Sequence, residues 1–293
     1  MKALGKVITA MVTPFKKDLS VDYERAAALA ERLIGLGSDG LLVGGTTGES
    51  PTLTEEEKLR LMETVVDVAG GRVPVWAGTG GNNTEAAVAL TRKAETTGVD
   101  GIMLVTPYYN KPPQEGLYQH FKTIAEATQL PVMLYNVPGR TGVNLAADTV
   151  VRLAQVPNIV AVKEASGNID QIAEICRRTR EDFIVYSGDD SMTLPLLSVG
   201  GTGVVSVASH LVADRIMEMV EAFEAGNTSR AAEIHGELLP LFKVLFITTN
   251  PIPVKVSLRY VGFNMGGFRL PLVEPTEEQC DKIKGVMKQV GLI

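Results

Sequence analysis

Short apolar segments rich in β-branched residues alternate along the chain with longer segments whose apolar residues recur every three or four positions. The short segments are typical of buried strands, and the longer ones of amphipathic helices. The pattern predicts eight strands, at 5–15, 40–46, 73–80, 101–107, 131–137, 159–165, 183–190 and 203–209. It predicts a helix after each strand, including 22–37, 54–70, 83–98, 114–128, 146–156, 168–179 and 211–225.

Strands that alternate with helices form a parallel sheet. Eight such units within residues 1–225 favour an α/β fold closed into a (β/α)8 TIM barrel over an open, doubly wound sheet, which stays the alternative. Residues 226–293 lack a strand pattern and predict three more helices, a C-terminal appendage that packs on the barrel. In the second predicted helix, Thr54 and Glu57 form a capping-box pattern that marks the helix start.

The charge balance argues against a polyanionic partner. The 293 residues carry a net charge of −6, and no stretch of the sequence forms a basic patch. We therefore expect neither nucleic acid nor membrane as a partner, and small molecules as ligands. The opening sequence "MKALGKVITAMVTPF" is broken by Lys6, Thr9 and Pro14, and predicts no signal peptide.

Cysteine and histidine usage points away from disulfides and metals. Cys176 and Cys280 are too few for a disulfide framework, which fits a cytoplasmic protein. His120, His210 and His235 fall on separate segments without ligand spacing. We expect no metal and no cofactor.

One lysine interrupts the apolar run "IVAVKEASG" of residues 159–167. A buried lysine is rare unless it is paired or reactive. Glu164 is a poor partner for Lys163, because adjacent strand residues point to opposite faces. Alternation places Ile159, Ala161 and Lys163 on one face.

Tyr135 lies near the end of the preceding strand and shares a face there with Met133. The active sites of such barrels lie at the carboxyl ends of the strands, so Tyr135 and Lys163 are expected in one mouth. A desolvated lysine is readily deprotonated, and a neutral amine forms Schiff bases with carbonyl compounds. This is class I aldolase chemistry, with Tyr135 as a plausible proton carrier. The alternatives are a lysine that reaches solvent and a tyrosine that only packs.

Two loops supply candidate anion ligands. "GGTTGES", residues 44–50, lacks the lysine of a nucleotide phosphate loop, but its backbone N–H groups and its threonines suit a carboxylate. The alternative is a plain tight turn. Arg140, in the loop after the fifth strand, could clamp a substrate carboxylate or be a solvated surface charge.

Four motifs occur in order: "GGTTGES", "TPYYNKP", "YNVPGRTG" and "VAVKEASGN". Together with "NPIPVK" at 250–255, they resemble the dihydrodipicolinate synthase family, the 4-hydroxy-tetrahydrodipicolinate synthases of lysine biosynthesis, over essentially the whole chain. The resemblance implies a TIM-barrel lyase that condenses pyruvate with L-aspartate 4-semialdehyde. It also implies a homotetramer built as a dimer of tight dimers.

The resemblance implies the catalytic residues one by one. Lys163 is expected to form the Schiff base with pyruvate. Tyr135 is expected to relay protons, helped by Thr47 and by Tyr109, which the family donates across the tight dimer interface to the neighbouring site.

It also implies the substrate contacts. Thr46 and Thr47 are expected to grip the pyruvate carboxylate, and Arg140 to meet the carboxylate of the semialdehyde. Gly188 resembles a backbone contact near the same substrate.

Other activities share much of this pattern. N-acetylneuraminate lyase and the 2-keto-3-deoxy-acid aldolases and dehydratases share the lysine, the tyrosine and the Gly-rich loop. Thr47 and Arg140 favour the synthase, although related dehydratases also carry the arginine. A non-catalytic barrel that binds a keto acid is a rival of another class, but it would have no use for a reactive amine.

The resemblance also bears on regulation. Residues that match the family's lysine-inhibition pocket are Ser50, Asn82 and Tyr108. However, Glu55 and Lys58 stand where the sensitive bacterial form has histidines, and Ala86 where it has a glutamate that only Glu85 could partly replace. A cation at 58 would repel the ammonium of lysine, so we expect weak or absent feedback by lysine.

Overall fold

The computed structural model describes residues 4–293, so the first three residues of the predicted barrel lie outside the described residues. Eight parallel strands pair in chain order and close on each other, which confirms the TIM barrel. The strands are β1 Val7–Ala10, β2 Gly40–Val43, β3 Val75–Gly78, β4 Gly101–Val105, β5 Val132–Asn136, β6 Ile159–Glu164, β7 Ile184–Ser187 and β8 Gly203–Ser206.

Helices follow the strands and form the outer layer. They are α1 Tyr23–Gly35, α2 Glu55–Ala69, α3 Thr84–Glu95, α4 Gln114–Ala125, α5 Pro138–Thr141, α6 Ala147–Leu153, α7 Ile169–Arg178, α8 Thr193–Ser198 and α9 Ser209–Glu224. Thr54 and Glu57 form the predicted capping box at the start of α2. The four-residue helix α5 was not predicted, because it is too short to show helical periodicity.

The strands separate two apolar layers. Inside the barrel, side chains such as Trp76, Met133 and Tyr186 fill the interior. Outside, the opposite faces of the strands pack against the helices in a larger cluster that includes Leu41 and Ile102. The interior is therefore a packed core, as in other barrels of this kind.

A bulge in β6 corrects one expectation. Val132 pairs with Ile159, but the next residue, Met133, pairs with Ala161, so one extra residue is inserted in β6. Ile159 therefore packs in the outer layer, whereas Val160 and Ala161 both pack inside the barrel. The prediction that Ile159 shares a face with Lys163 was wrong, because a bulge leaves no clear signal in the apolar pattern.

Three helices follow the barrel in the described chain: α10 Thr228–Val244, α11 Ile252–Tyr260 and α12 Glu277–Gln289. Helix α10 packs on α9, and α12 packs on α10 and α11. From α11, the Lys255 ammonium reaches the Glu49 carboxylate at 2.8 Å, and both side chains are fully buried. This contact ties the C-terminal helices to the loop that follows β2.

Candidate active site

Tyr135 and Lys163 lie opposite each other near the carboxyl ends of β5 and β6. The Lys163 ammonium nitrogen lies 4.3 Å from the centre of the Tyr135 ring. The two residues are only 5% and 6% exposed, respectively. The structure thus brings the amine and the phenol together in one mouth, as the sequence predicted.

The surroundings of Lys163 favour its neutral form. Burial lowers the pKa of the ammonium to about 7, and the positive charge of Arg140 acts in the same direction. The Asp190 carboxylate opposes both effects. A substantial fraction of Lys163 is therefore an uncharged amine near neutral pH, the form that attacks a carbonyl carbon.

Gly188 leaves room for the lysine. A Cβ atom at this position would lie 3.0 Å from Lys163 Cε and 2.8 Å from Ala165 Cβ, closer than side chains pack. A side chain at position 188 would therefore crowd both Ala165 and Lys163.

The loop after β2 reaches the same mouth through close backbone packing. Gly44 has a left-handed φ of +72°, and a Cβ at Gly78 would lie 2.4 Å from the Gly44 carbonyl oxygen. Glycine at both positions lets the loop approach β3. Thr46 and Thr47 then line the cavity around Lys163.

The two threonines have different partners. Thr46 interacts with the Tyr135 phenol and, like the Arg140 charge, opposes the rise that burial causes in the phenol's pKa. The Thr47 hydroxyl instead accepts a hydrogen bond of 2.9 Å from Asn250 Nδ2. The structure thus places Thr46, rather than the predicted Thr47, beside the phenol.

Asn250 is a site residue that the sequence prediction missed. It comes from the segment before α11, is 4% exposed, and lines the cavity around Lys163. Its Oδ1 is buried without a hydrogen-bond partner in the described part of the chain. The motif "NPIPVK" was a usable signal, but nothing in its residues indicated contact with a loop 203 positions earlier.

Two cavities meet at the mouth. One, of about 140 Å³, contains Lys163, Thr47 and Gly188. The other, of about 260 Å³, extends towards Ser50 and Lys58. Both are lined by Gly45, Thr46, Tyr135, Val137 and Arg140. Arg140 thus stands at their junction.

Tyr109 is the candidate that lies farthest from this arrangement. Its side chain is 89% exposed, it lines neither cavity, and its backbone has a left-handed φ of +73°. Such a conformation is uncommon for an aromatic residue and tends to occur at functional positions. Within one chain, therefore, Tyr109 does not join Lys163.

The residues of the expected lysine pocket are partly assembled. Ser50, Lys58 and Tyr108 line the larger cavity, and Asn82 Nδ2 donates to the Tyr108 carbonyl oxygen at 3.2 Å. Burial lowers the pKa of Lys58, which forms no ion pair within residues 4–293.

Of the acidic positions near this pocket, Glu55 opposes through its charge the lowering of the Lys58 pKa, but it forms no ion pair with Lys58. Glu55 pairs with Lys93, and Ala86 and Glu85 are exposed on α3.

Among residues 4–293, no group of three or more His, Cys, Asp or Glu side chains could hold a metal ion. No helix in that range is long and apolar enough to cross a membrane.

Comparisons with known proteins point to the family that the motifs resemble. The sequence profile of the Dihydrodipicolinate synthetase family matches residues 3–290. A protein of Halalkalibacterium halodurans named 4-hydroxy-tetrahydrodipicolinate synthase 1 is 62% identical over 276 residues, 94% of each chain. The crystal structure of DHDPS from Cyanidioschyzon merolae with lysine bound is 50% identical, covers 99% of each chain and has a TM-score of 0.98. The chloride-inhibited dihydrodipicolinate synthase from Acinetobacter baumannii, complexed with pyruvate, is 41% identical with a TM-score of 0.96, covering 99% of this chain and 100% of that chain.

Proposed function

The chain belongs to the dihydrodipicolinate synthetase family, and we propose that its barrel mouth performs the family's reaction through a Schiff base on Lys163. The reaction condenses pyruvate with L-aspartate 4-semialdehyde to 4-hydroxy-tetrahydrodipicolinate, a lyase activity of diaminopimelate and lysine biosynthesis. The observation that carries the mechanism is a buried lysine with a pKa lowered to about 7, 4.3 Å from a phenol ring.

In the proposed mechanism the neutral Lys163 amine attacks the keto carbon of pyruvate, and loss of water gives the imine. The imine draws electrons from the adjacent methyl group, which loses a proton and becomes an enamine carbon. That carbon attacks the aldehyde of the second substrate and forms the new C–C bond. The substrate's own amine then attacks the imine carbon, closes the ring and releases Lys163.

Tyr135 is proposed to carry the protons of these steps. Burial raises the pKa of its phenol, so that the group is protonated at neutral pH and can donate. We assign the assisting hydroxyl to Thr46, because Thr46 is the threonine that interacts with Tyr135. Thr47, held by Asn250, is left to bind the pyruvate carboxylate beside the backbone of the Gly-rich loop.

Arg140 is proposed to bind the carboxylate of the semialdehyde. The arginine lines both cavities, and its guanidinium forms no ion pair or hydrogen bond with any residue of the range 4–293. Its five donors are thus available to a bidentate ligand. Gly188, against the Lys163 side chain, would leave its backbone facing the same substrate.

We further propose that the protein acts in the cytoplasm as a homotetramer of tight dimers. Tyr109 supports an assembly, because its exposed side chain is available to contact a neighbouring subunit. In this arrangement each site would be completed by the tyrosine of its dimer partner.

Regulation by lysine is proposed to be weak or absent. Lysine is bound in the related structure from Cyanidioschyzon merolae. Here the matching cavity contains the Lys58 ammonium and no carboxylate among its lining residues. A ligand with an ammonium group would meet the repulsion of Lys58, with no carboxylate in the cavity lining to bind it.

The proposed function is tested by a substrate comparison. Purified protein is incubated with pyruvate and either L-aspartate 4-semialdehyde, N-acetylmannosamine or a simple aldose-derived aldehyde. We expect condensation with the semialdehyde alone. Mass spectrometry of the product identifies which aldehyde has reacted. Turnover of one of the sugar aldehydes in its place would favour another pyruvate aldolase, an activity that the named relatives do not favour.

A further inference from the structure

Behind the reacting pair, β5 and β6 carry a second pair of side chains. Tyr135 lies opposite Lys163, and in the next register position Asn136 lies opposite Glu164. Since strand residues alternate in direction, the first pair points into the barrel and the second towards the helices. Asn136 and Glu164 are 0% and 1% exposed, and neither has a role in the mechanism above.

The Glu164 carboxylate is held only by neutral donors. It accepts hydrogen bonds from the Ser166 backbone N–H at 2.8 Å, from Asn136 Nδ2 at 3.1 Å and from Gln171 Nε2 at 2.9 Å. No residue of the described chain forms an ion pair with it. An amide at this position would set an NH2 group against one of these donors, so the site is specific for a carboxylate.

The same network closes the loop between β5 and α6. Asn136 Oδ1 accepts from the Leu145 backbone N–H at 2.9 Å, and Asn136 Nδ2 donates to Asn144 Oδ1 at 2.8 Å. Asn144 Nδ2 in turn donates to Gln171 Oε1 at 2.7 Å. The residues at the two ends of the loop, Asn136 and Asn144, are thus fixed to each other and to β6.

Arg140 lies in the middle of this loop, four residues after Asn136 and four before Asn144. It is exposed, and its guanidinium has no hydrogen-bond partner in residues 4–293. The position of the guanidinium therefore depends on the backbone of the loop. Lys163, in contrast, is held by its own strand and by the packing of Gly188 and Ala165.

We propose that Glu164 is a positioning residue for the second substrate. Through Asn136 and Asn144, its carboxylate sets the loop that presents Arg140 to the carboxylate of the semialdehyde. The inference rests on the proposed function, because it uses the role assigned there to Arg140. It separates the two half-reactions: capture of pyruvate on Lys163 does not need the network, whereas recognition of the aldehyde does.

The test compares Glu164→Gln with Asn144→Ala, which removes the loop side of the network and leaves β6 unchanged. We expect KM for L-aspartate 4-semialdehyde to rise about tenfold in both, the effect of a misplaced charged contact. Imine formation with pyruvate, followed by borohydride trapping, should stay within about twofold of the wild type. The matched control Glu181→Gln changes an exposed carboxylate and should leave both quantities unchanged.

A double-mutant cycle shows whether the effect runs through the arginine. In an Arg140→Ala background, Glu164→Gln should add no further rise in KM for the aldehyde. Three results would overturn the proposal. The first is an unchanged KM in both single variants, and the second is a loss of imine formation as large as the rise in KM. The third is an additive effect in the cycle. If Glu164→Gln does not fold, Asn144→Ala and its own cycle with Arg140→Ala decide. A wild type that fails to condense the semialdehyde would instead contradict the proposed function.

Discussion

At the scale of single residues, the proposed chemistry depends on one desolvated amine. Burial is the main reason for the lowered pKa of Lys163, and the charge of the Asp190 carboxylate opposes it without restoring the ordinary value. The pairing with Tyr135 was predictable, because two neighbouring strands with period-two alternation bring their inward residues together. The interaction of Thr46 with the phenol was not predictable. A loop has no periodic pattern that tells which of two adjacent threonines faces the phenol.

The lowered pKa predicts the pH dependence of imine formation. Below about pH 7 Lys163 is mostly protonated and cannot attack, so the rate should rise as pH increases through about 7 and then level off. Rapid-mixing measurements with pyruvate and borohydride, without the aldehyde, give this rate directly. A rate that kept rising towards pH 10 would show that the free enzyme's lysine has an ordinary pKa.

Lys58 predicts the response to lysine. Because its ammonium lines the cavity with Ser50 and Tyr108, L-lysine should not inhibit the wild type at submillimolar concentration. Replacing the cation and restoring an anion, as Lys58→His with Ala86→Glu, should make inhibition appear in steady-state assays. A submillimolar inhibition constant for the wild type would contradict this account.

At the scale of elements, the strand and helix order could be predicted, whereas the contacts between distant elements could not. Each βα unit is a local feature, so the alternation of apolar patterns showed the units one by one. Their number, eight, favoured a closed sheet. The bulge at Val160 and the contact between Asn250 and Thr47 depend on tertiary packing, so the local sequence carried no signal for them.

The buried pair of Lys255 and Glu49 links α11 to the loop after β2. Lys255 Nζ also donates to the backbone carbonyls of Thr13 and Gly267, at 3.2 and 2.6 Å. It therefore joins the segment after β1, the Gly-rich loop and the C-terminal helices at one point.

Lys255→Met should leave the buried Glu49 carboxylate without its ion-pair partner, with only the Arg269 backbone N–H still donating to it, and lower the free energy of unfolding by about 3–5 kcal/mol. Urea denaturation followed by circular dichroism measures the loss. Lys255→Met combined with Glu49→Gln should be less destabilising than Lys255→Met alone, because no lone charge is left. A loss below about 1 kcal/mol in the single variant would show that the pair contributes little.

At the scale of the whole molecule, one chain brings together the proposed groups of its site, but its own Tyr109 does not line that site. The tyrosine's loop is fixed, because Asn110 Nδ2 donates to the Asn82 carbonyl oxygen at 2.9 Å. A firmly held loop with an exposed aromatic tip is suited to enter a neighbouring subunit. Assembly would thus be a condition of activity.

Mixing two defective variants tests this arrangement. Lys163→Ala and Tyr109→Phe should each have little activity, but co-refolded subunits should regain about a quarter of the wild-type sites. The recovery arises because a mixed dimer contains one site with both Lys163 and Tyr109 intact. Activity no greater than the sum of the separate variants would place the tyrosine in its own subunit's site or remove it from the reaction.

The proposed mechanism requires Lys163 to be the nucleophile that captures pyruvate. Incubation with pyruvate and borohydride, followed by peptide mass spectrometry, detects this step. We expect one pyruvate-derived adduct per chain, on Lys163, and none in a folded Lys163→Ala variant. A folded wild type without an adduct, or with an adduct on another lysine, would contradict the mechanism.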